Sequence, residues 1–292
     1  MHSKKNLSGY IFIIPAALIY FTVIVLPAVY SFYLSFFKWN GIGPNRKFVG
    51  LNNYYHILFE DVIFERAALN NTIWILLVLT ITVGFALSMA LLLNRQFRGR
   101  TLFRGILYFP YVLSGVMVAI IWTWVYHPQL GLISGFLQLF NLQEYYSSPL
   151  AGVKTAFFAI YAAALWQGFG APMILFLAGL KTIPVELYEA ATIDGANRSQ
   201  TFINITIPML RETFVIVFAT QIISAMKLYD IVYAMTEGGP ANRTHTMATW
   251  MVRQTFIFAN VGKGTSIAVV MVLVLMVVII PYVMFMAKDT GK

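Results

Sequence analysis

The sequence predicts an all-α integral membrane protein with six transmembrane helices. Of its 292 residues, 59% are hydrophobic and only 11% charged, where soluble domains carry about 25% charged residues. Six largely uncharged intervals approach or exceed the roughly 20 apolar residues that a helix needs to cross the hydrocarbon core. Lys and Arg stand in short clusters between those intervals, the pattern of topology signals rather than of a phosphate-binding face.

The intervals place the spans at about 10–37, 72–94, 105–126, 155–180, 208–230 and 265–287, within one transmembrane domain covering 1–292. The first lies between Lys5 and Lys38 and the second between Arg66 and Arg95. The third begins after Arg104 and stops before His127-Pro128, and the fourth fits between Lys154 and Lys181. The fifth starts near Pro208, since proline is tolerated in a first helical turn, and runs to Asp230. Lys227 and Asp230, three residues apart, could pair across one turn there. The sixth lies between Lys263 and Lys288.

Direction follows from the loops. Arg95, Arg98, Arg100 and Arg104 crowd the link between spans two and three, whereas 127–153 holds no Lys or Arg. Positive charge stays in the cytoplasm, so the first link is inside and the second outside. Six spans then place both termini inside, in keeping with Lys4, Lys5, Lys288 and Lys292. The uncharged stretch reaching Phe37 is too long for the apolar core of a signal peptide and reads as a retained first helix. The outer segment 232–263 opens on the loop signal Glu237-Gly238-Gly239-Pro240. Met247, Trp250, Met251 and Phe258 follow at helical spacing, a helix packed against the membrane or the bundle.

Several chemistries are excluded. With no cysteine there is no disulfide, thiolate metal site or cysteine nucleophile. His2, His56, His127 and His245 are scattered, with no metal-ligand spacing and no catalytic cluster. Gly262-Lys263-Gly264-Thr265 lacks the glycine that a phosphate loop requires. No cofactor, metal, nucleic acid or catalytic residue is expected.

The link between spans four and five, 181–207, is too polar to span and too patterned for a turn. Pro184 suits the first turn of a short helix, and Glu186 and Glu189 suit its dipole-positive end. Asp194-Gly195 can end that helix, because glycine accepts the left-handed conformation. Asn197 followed by Gln200 fits a capping box opening a second helix. Leu187, Tyr188 and Ile193 would give the first helix an apolar face, and Ala190 and Ala191 would let a partner's groove approach its backbone.

This stretch resembles the EAA loop of the inner-membrane permease subunits of ABC importers: Glu-Ala-Ala, three residues, Gly, nine residues, then Ile-x-Leu-Pro. Glu189, Ala190, Ala191, Gly195, Ile205 and Pro208 fall on that pattern, with Ile207 in place of leucine. Residues 48–54 and Glu237-Gly238-Gly239-Pro240 look like the shorter, six-span sugar and glycerol-phosphate branch. The resemblance implies a type I ABC importer permease fold in a bacterial inner membrane. Its partners would be a second permease, a dimer of ATP-binding subunits that hydrolyses the ATP, and an extracytoplasmic substrate-binding protein. It also implies that Glu189, Ala190, Ala191, Asp194, Gly195 and Pro208 belong to the surface coupled to the ATPase.

Polar groups in spans are expensive and so point to a pathway. Gln167, Gln221 and Ser224 are candidates for the sugar's hydroxyls, and Trp166, with Trp122 and Trp124, for stacking on its ring. The bland alternative for each is helix bridging or an interfacial tryptophan. Apart from Arg211 in the first turn of the fifth span, Lys227 is the one basic residue within a span, which favours a neutral mono- or oligosaccharide over glycerol phosphate or another small polar solute. An ion-coupled secondary transporter is the rival class, but no midplane carboxylate or inverted repeat is evident.

Overall fold

The structure is a computed structural model that describes residues 8–288; Lys4, Lys5 and Lys292, on which the placement of the termini partly rests, lie outside them. Among the described residues, four helices are long and apolar enough to span a membrane: α1 (Ile13–Leu34), α3 (Val62–Asn94), Arg211–Thr236 and the Val261–Tyr282 part of α14. Two bent pairs bring the number to six if each is one span. These are α4 (Arg100–Val112) with α5 (Gly115–Val125), bent by 100°, and α7 (Ala156–Gly168) with α8 (Gly170–Thr182), bent by 42°. The remaining helices include α2 (Asn52–Phe59), α6 (Leu132–Gln138), α9 (Val185–Ile193) and α10 (198–209). The fifth span divides into α11 (Arg211–Met226) and α12 (Asp230–Thr236), followed by α13 (Met247–Val252) and α14 (Val261–Lys288).

The helices depart from the sequence expectation where charge and helix geometry part company. α3 begins ten residues before the expected 72, taking in Glu65 and Arg66. A charged residue marks where the bilayer ends, not where a helix must, and a first turn can stand in water. The third span is not one rod: α4 ends two residues after Pro110, and Ser114 Oγ then caps α5 by accepting from Met117 N. Lys227 and Asp230 form no ion pair, because α11 stops at Met226 and the two residues flank the break instead of sharing a turn.

The chain divides into two compact units, 1–62 with 251–273 and 63–250 with 274–292. In the first, α1 has none of its spanning window buried. A two-stranded antiparallel ribbon, β1 (Phe37–Lys38) on β2 (Lys47–Phe48), follows it. Buried Asn53 fastens α2 to this segment by donating to the carbonyls of Ser35 and Phe37, at 2.8 and 3.0 Å.

The second unit holds two apolar cores near opposite ends of α3. One gathers Ala86, Ala90 and Leu93 of α3 with Met173, Phe176 and Leu180 of α8, and Leu210. Small residues permit the close packing that membrane helices rely on. At Gly179 an added Cβ would collide with Thr213, and at Gly170 it would stand 3.1 Å from the Leu107 carbonyl and Tyr108 Cα. The other core gathers Trp74 and Val78 with Phe157, Ile160 and Tyr161 of α7, and Ile231 and Val232 of α12. Met247 and Trp250 are buried as well, so the apolar stripe expected at 247–258 begins by packing within its own unit.

Candidate functional site

The segment 181–210 is a helix pair built almost wholly from local hydrogen bonds. Pro184 sits one residue ahead of α9, as its N-cap, slightly before the expected first turn. The C-terminus of α9 closes on Gly195 at φ +74°. Ala196 N donates to Ala191 O at 2.9 Å and Gly195 N to Thr192 O at 3.2 Å, the two bonds of a Schellman cap. Asn197 then caps α10: its Oδ1 accepts from Gln200 N at 2.9 Å, and Gln200 Oε1 accepts from Asn197 N at 2.8 Å. Both halves of the expected capping box are therefore present.

The pair presents one set of side chains outward and anchors another. Glu189, Ala190, Asp194 and Gly195 are exposed, and Ile193 is 86% exposed. Ala191 is buried at 8%, and Tyr188 packs against the first core while its hydroxyl lies 3.2 Å from Thr206 Oγ1. The apolar face expected of Leu187, Tyr188 and Ile193 is thus split, because Tyr188 turns inward while Leu187 and Ile193 stay exposed. Pro208 is exposed within α10, after five residues wound in the wider π form, Phe202–Thr206, an irregularity often found at functional sites. A cleft of about 320 Å³ runs between the helices, lined by Tyr188, Thr192, Arg198 and Phe202 among others.

The intramembrane candidates separate into different places. Gln221 and Ser224, one turn apart on α11, line a cavity of about 100 Å³ with Trp74, Thr82, Tyr161 and Leu228. Its lining carries no charged side chain. Thr82 Oγ1 and the Tyr161 hydroxyl stand 2.9 Å apart, and that hydroxyl also donates to Leu77 O at 2.8 Å. Gln167 lies elsewhere, donating from Nε2 to Leu113 O at 2.8 Å in the break between α4 and α5. Trp166 stacks edge-on with Trp122, at 6.0 Å, and lines a separate apolar cleft of about 370 Å³. Trp124 is exposed.

The segment 237–250 holds a polar cluster that the sequence reading did not single out. Asn70 Nδ2 donates to the carbonyls of Arg243 and His245, each at 2.8 Å. Asn71 Nδ2 donates to Ala225 O at 2.9 Å, and its Oδ1 accepts from Met247 N at 2.8 Å. Thr246 Oγ1 adds a bond to Leu228 O at 2.6 Å. The available signal was two adjacent amides at the head of an otherwise apolar span, where polarity is costly.

Comparison with known proteins fits this arrangement. A probable ABC transporter permease protein of Pyrococcus horikoshii is 34% identical over 282 residues, spanning 97% of this chain and 96% of the relative. The multiple sugar-binding transport system permease protein of Streptococcus mutans is 32% identical over 270 residues, 92% of each chain. The trehalose/maltose transport system permease protein of Thermococcus litoralis is 30% identical over 263 residues, covering 89% of this chain and 87% of that one. Among solved structures, a chain of a bacterial ABC transporter involved in the import of the acidic polysaccharide alginate superposes with a TM-score of 0.84. That superposition covers 98% of this chain and 96% of the other, and at 20% identity it is a likeness of fold. The family described as binding-protein-dependent transport system inner membrane component matches residues 66–287, and the chain belongs to it.

Proposed function

We propose that this multi-pass inner-membrane protein is one of two permeases forming the pathway of a sugar importer, and that it couples to a separate ATPase through α9 and α10. The observation that carries the reading is an outward-facing helix pair, rigid by its own caps, that carries Glu189, Ala190, Ala191, Asp194, Gly195 and Pro208. The Schellman cap at Gly195 and the capping box at Asn197 make the pair a lever: force on exposed Glu189 and Ile193 passes to Tyr188, which packs against the first core. As a permease component the chain has no ATPase chemistry of its own; hydrolysis belongs to the partner subunit.

Sugar as the solute is supported by relatives that bear sugar-transport names. Within the chain, Gln221 and Ser224 would offer hydrogen bonds beside Trp74 and Tyr161, in a cavity without charge that, at about 100 Å³, would have to widen to admit a sugar ring. α1, unpartnered over its whole spanning window, offers a face to the second permease. The arginine-rich link at 95–104 supports the cytoplasmic side for α9 and for both termini.

A mild-detergent pull-down with mass spectrometry, paired with uptake of labelled sugars, tests the assignment. An ATPase and a second permease should accompany the chain, and Gly195→Trp should release the ATPase while the second permease remains. A chain that comes down alone and moves solute on an ion gradient would return the secondary-transporter reading.

A further inference from the structure

We infer that the link between α3 and α4, together with the apolar cleft alongside α4, is a binding site for an anionic phospholipid. Arg95 and Arg98 are exposed and Arg100 is partly so, and none of the three makes an ion pair among the described residues. Arg104, one turn beyond Arg100, is held by Nη2 donating to Leu93 O at 2.8 Å, while its buried Nε has no hydrogen-bond partner. No Asp or Glu occurs between Glu65 and Glu144, so this part of the chain brings no acid of its own to the four guanidinium groups. Guanidinium groups suit bidentate contact with phosphate oxygens.

The apolar half of the site begins where the arginines end. Phe97 and Phe103, both exposed, pair with ring centroids 6.0 Å apart. Phe103, Ile106 and Pro110 follow at i, i+3 and i+7, one face of α4. Ile106 and Pro110 line the 370 Å³ cleft with Phe85, Leu165, Trp166 and Phe169. From Arg100 to Ile106 is a rise of about 9 Å and to Pro110 about 15 Å, at 1.5 Å per residue. That is the offset between a phosphate at the bilayer surface and the upper part of its acyl chain. A soluble acidic partner would match the arginines but has no use for an apolar cleft opening from the same helix, so the lipid accounts for both halves.

The inference rests on membership of the permease family and not on which solute is carried. Its test is native mass spectrometry of the importer complex purified through this chain, titrated with phosphatidylglycerol or phosphatidylcholine. Phosphatidylglycerol adducts should persist at collision energies that strip phosphatidylcholine. Arg95→Gln/Arg98→Gln/Arg100→Gln should weaken phosphatidylglycerol binding by about a hundred-fold, as expected if each arginine near a headgroup contributes on the scale of 1 kcal/mol. Ile106→Trp, which keeps every arginine, should also lower retention by filling the cleft. Equal retention of both lipids, or unchanged phosphatidylglycerol binding in the triple variant, overturns the site. Loss of the ATPase subunit from the triple variant with lipid binding intact likewise overturns it, and assigns the arginines to that subunit.

Discussion

The second unit fastens two loops by different means. The α9–α10 pair is held by bonds that reach five residues or fewer, apart from the Tyr188–Thr206 contact. The 237–250 segment has turn bonds of its own, such as Thr244 Oγ1 to Gly239 O at 2.7 Å, but is also held by amides that come from more than 170 residues away, on α3. The first loop carries its shape with it and can be pushed as a body. The second is tied to its surroundings as well, so its geometry reports on the packing of α3, α11 and α12.

Removing one clamp should cost more than removing one cap. Asn71→Ala leaves Met247 N buried without its partner and takes from Ala225 O the shorter of its two bonds, and should cost about 2 kcal/mol or more, the scale of an unsatisfied buried group. A lower thermal midpoint of the detergent-solubilised complex is the readout, and a smaller loss than for Asn197→Ala would break the comparison. Next in size is Gly195→Val. A β-branched residue at φ +74° should cost about 1–2 kcal/mol. Its signature is lost ATPase stimulation with little change in the melting of the bundle.

Asn197→Ala removes the α10 cap and should cost about 1 kcal/mol. Faster amide hydrogen exchange confined to 198–201 is the measurement, and spread of the effect into α7 or α8 would count against a self-contained loop. Smallest is Gln200→Ala, which removes the reciprocal arm of the box. It should cost about 0.5 kcal/mol, the low end for a single exposed hydrogen bond, visible as a slight gain in tryptic cleavage after Arg198. An effect as large as that of Asn197→Ala would mean that the two arms are not separable.

The same contrast explains what could be read from the residues alone. The helix stop at Gly195 and the capping box at Asn197 were legible because each bond closes within a few residues and each residue type has one strong local use. The six apolar intervals were legible because bilayer thickness sets their length. The break at 112–115 was not, although Pro110 and Ser114-Gly115 were signals for it, because an uncharged interval looks the same straight or bent. Asn70 and Asn71 could be flagged as polar, but their acceptors, beyond residue 220 in the chain, could not be named without the fold. Gln221 and Ser224 face one cavity, while Gln167 turns to a backbone carbonyl; composition does not distinguish those fates.

The bond from Gln167 to Leu113 has a mechanical consequence. Gln167 stands just ahead of the break between α7 and α8, and its amide grips a carbonyl inside the break between α4 and α5. Each bend is thereby braced by the other, as a tie rod braces two joints. Rotation of α5 about its joint pulls on the end of α7 and so on the joint that carries α8. Trp122 against Trp166 and the Tyr126 hydroxyl on Ala159 O at 3.1 Å add to this tie. Four half-helices that could have flexed separately are thus joined into one linkage, and a displacement of α8, which leads directly into α9, would be felt at α5.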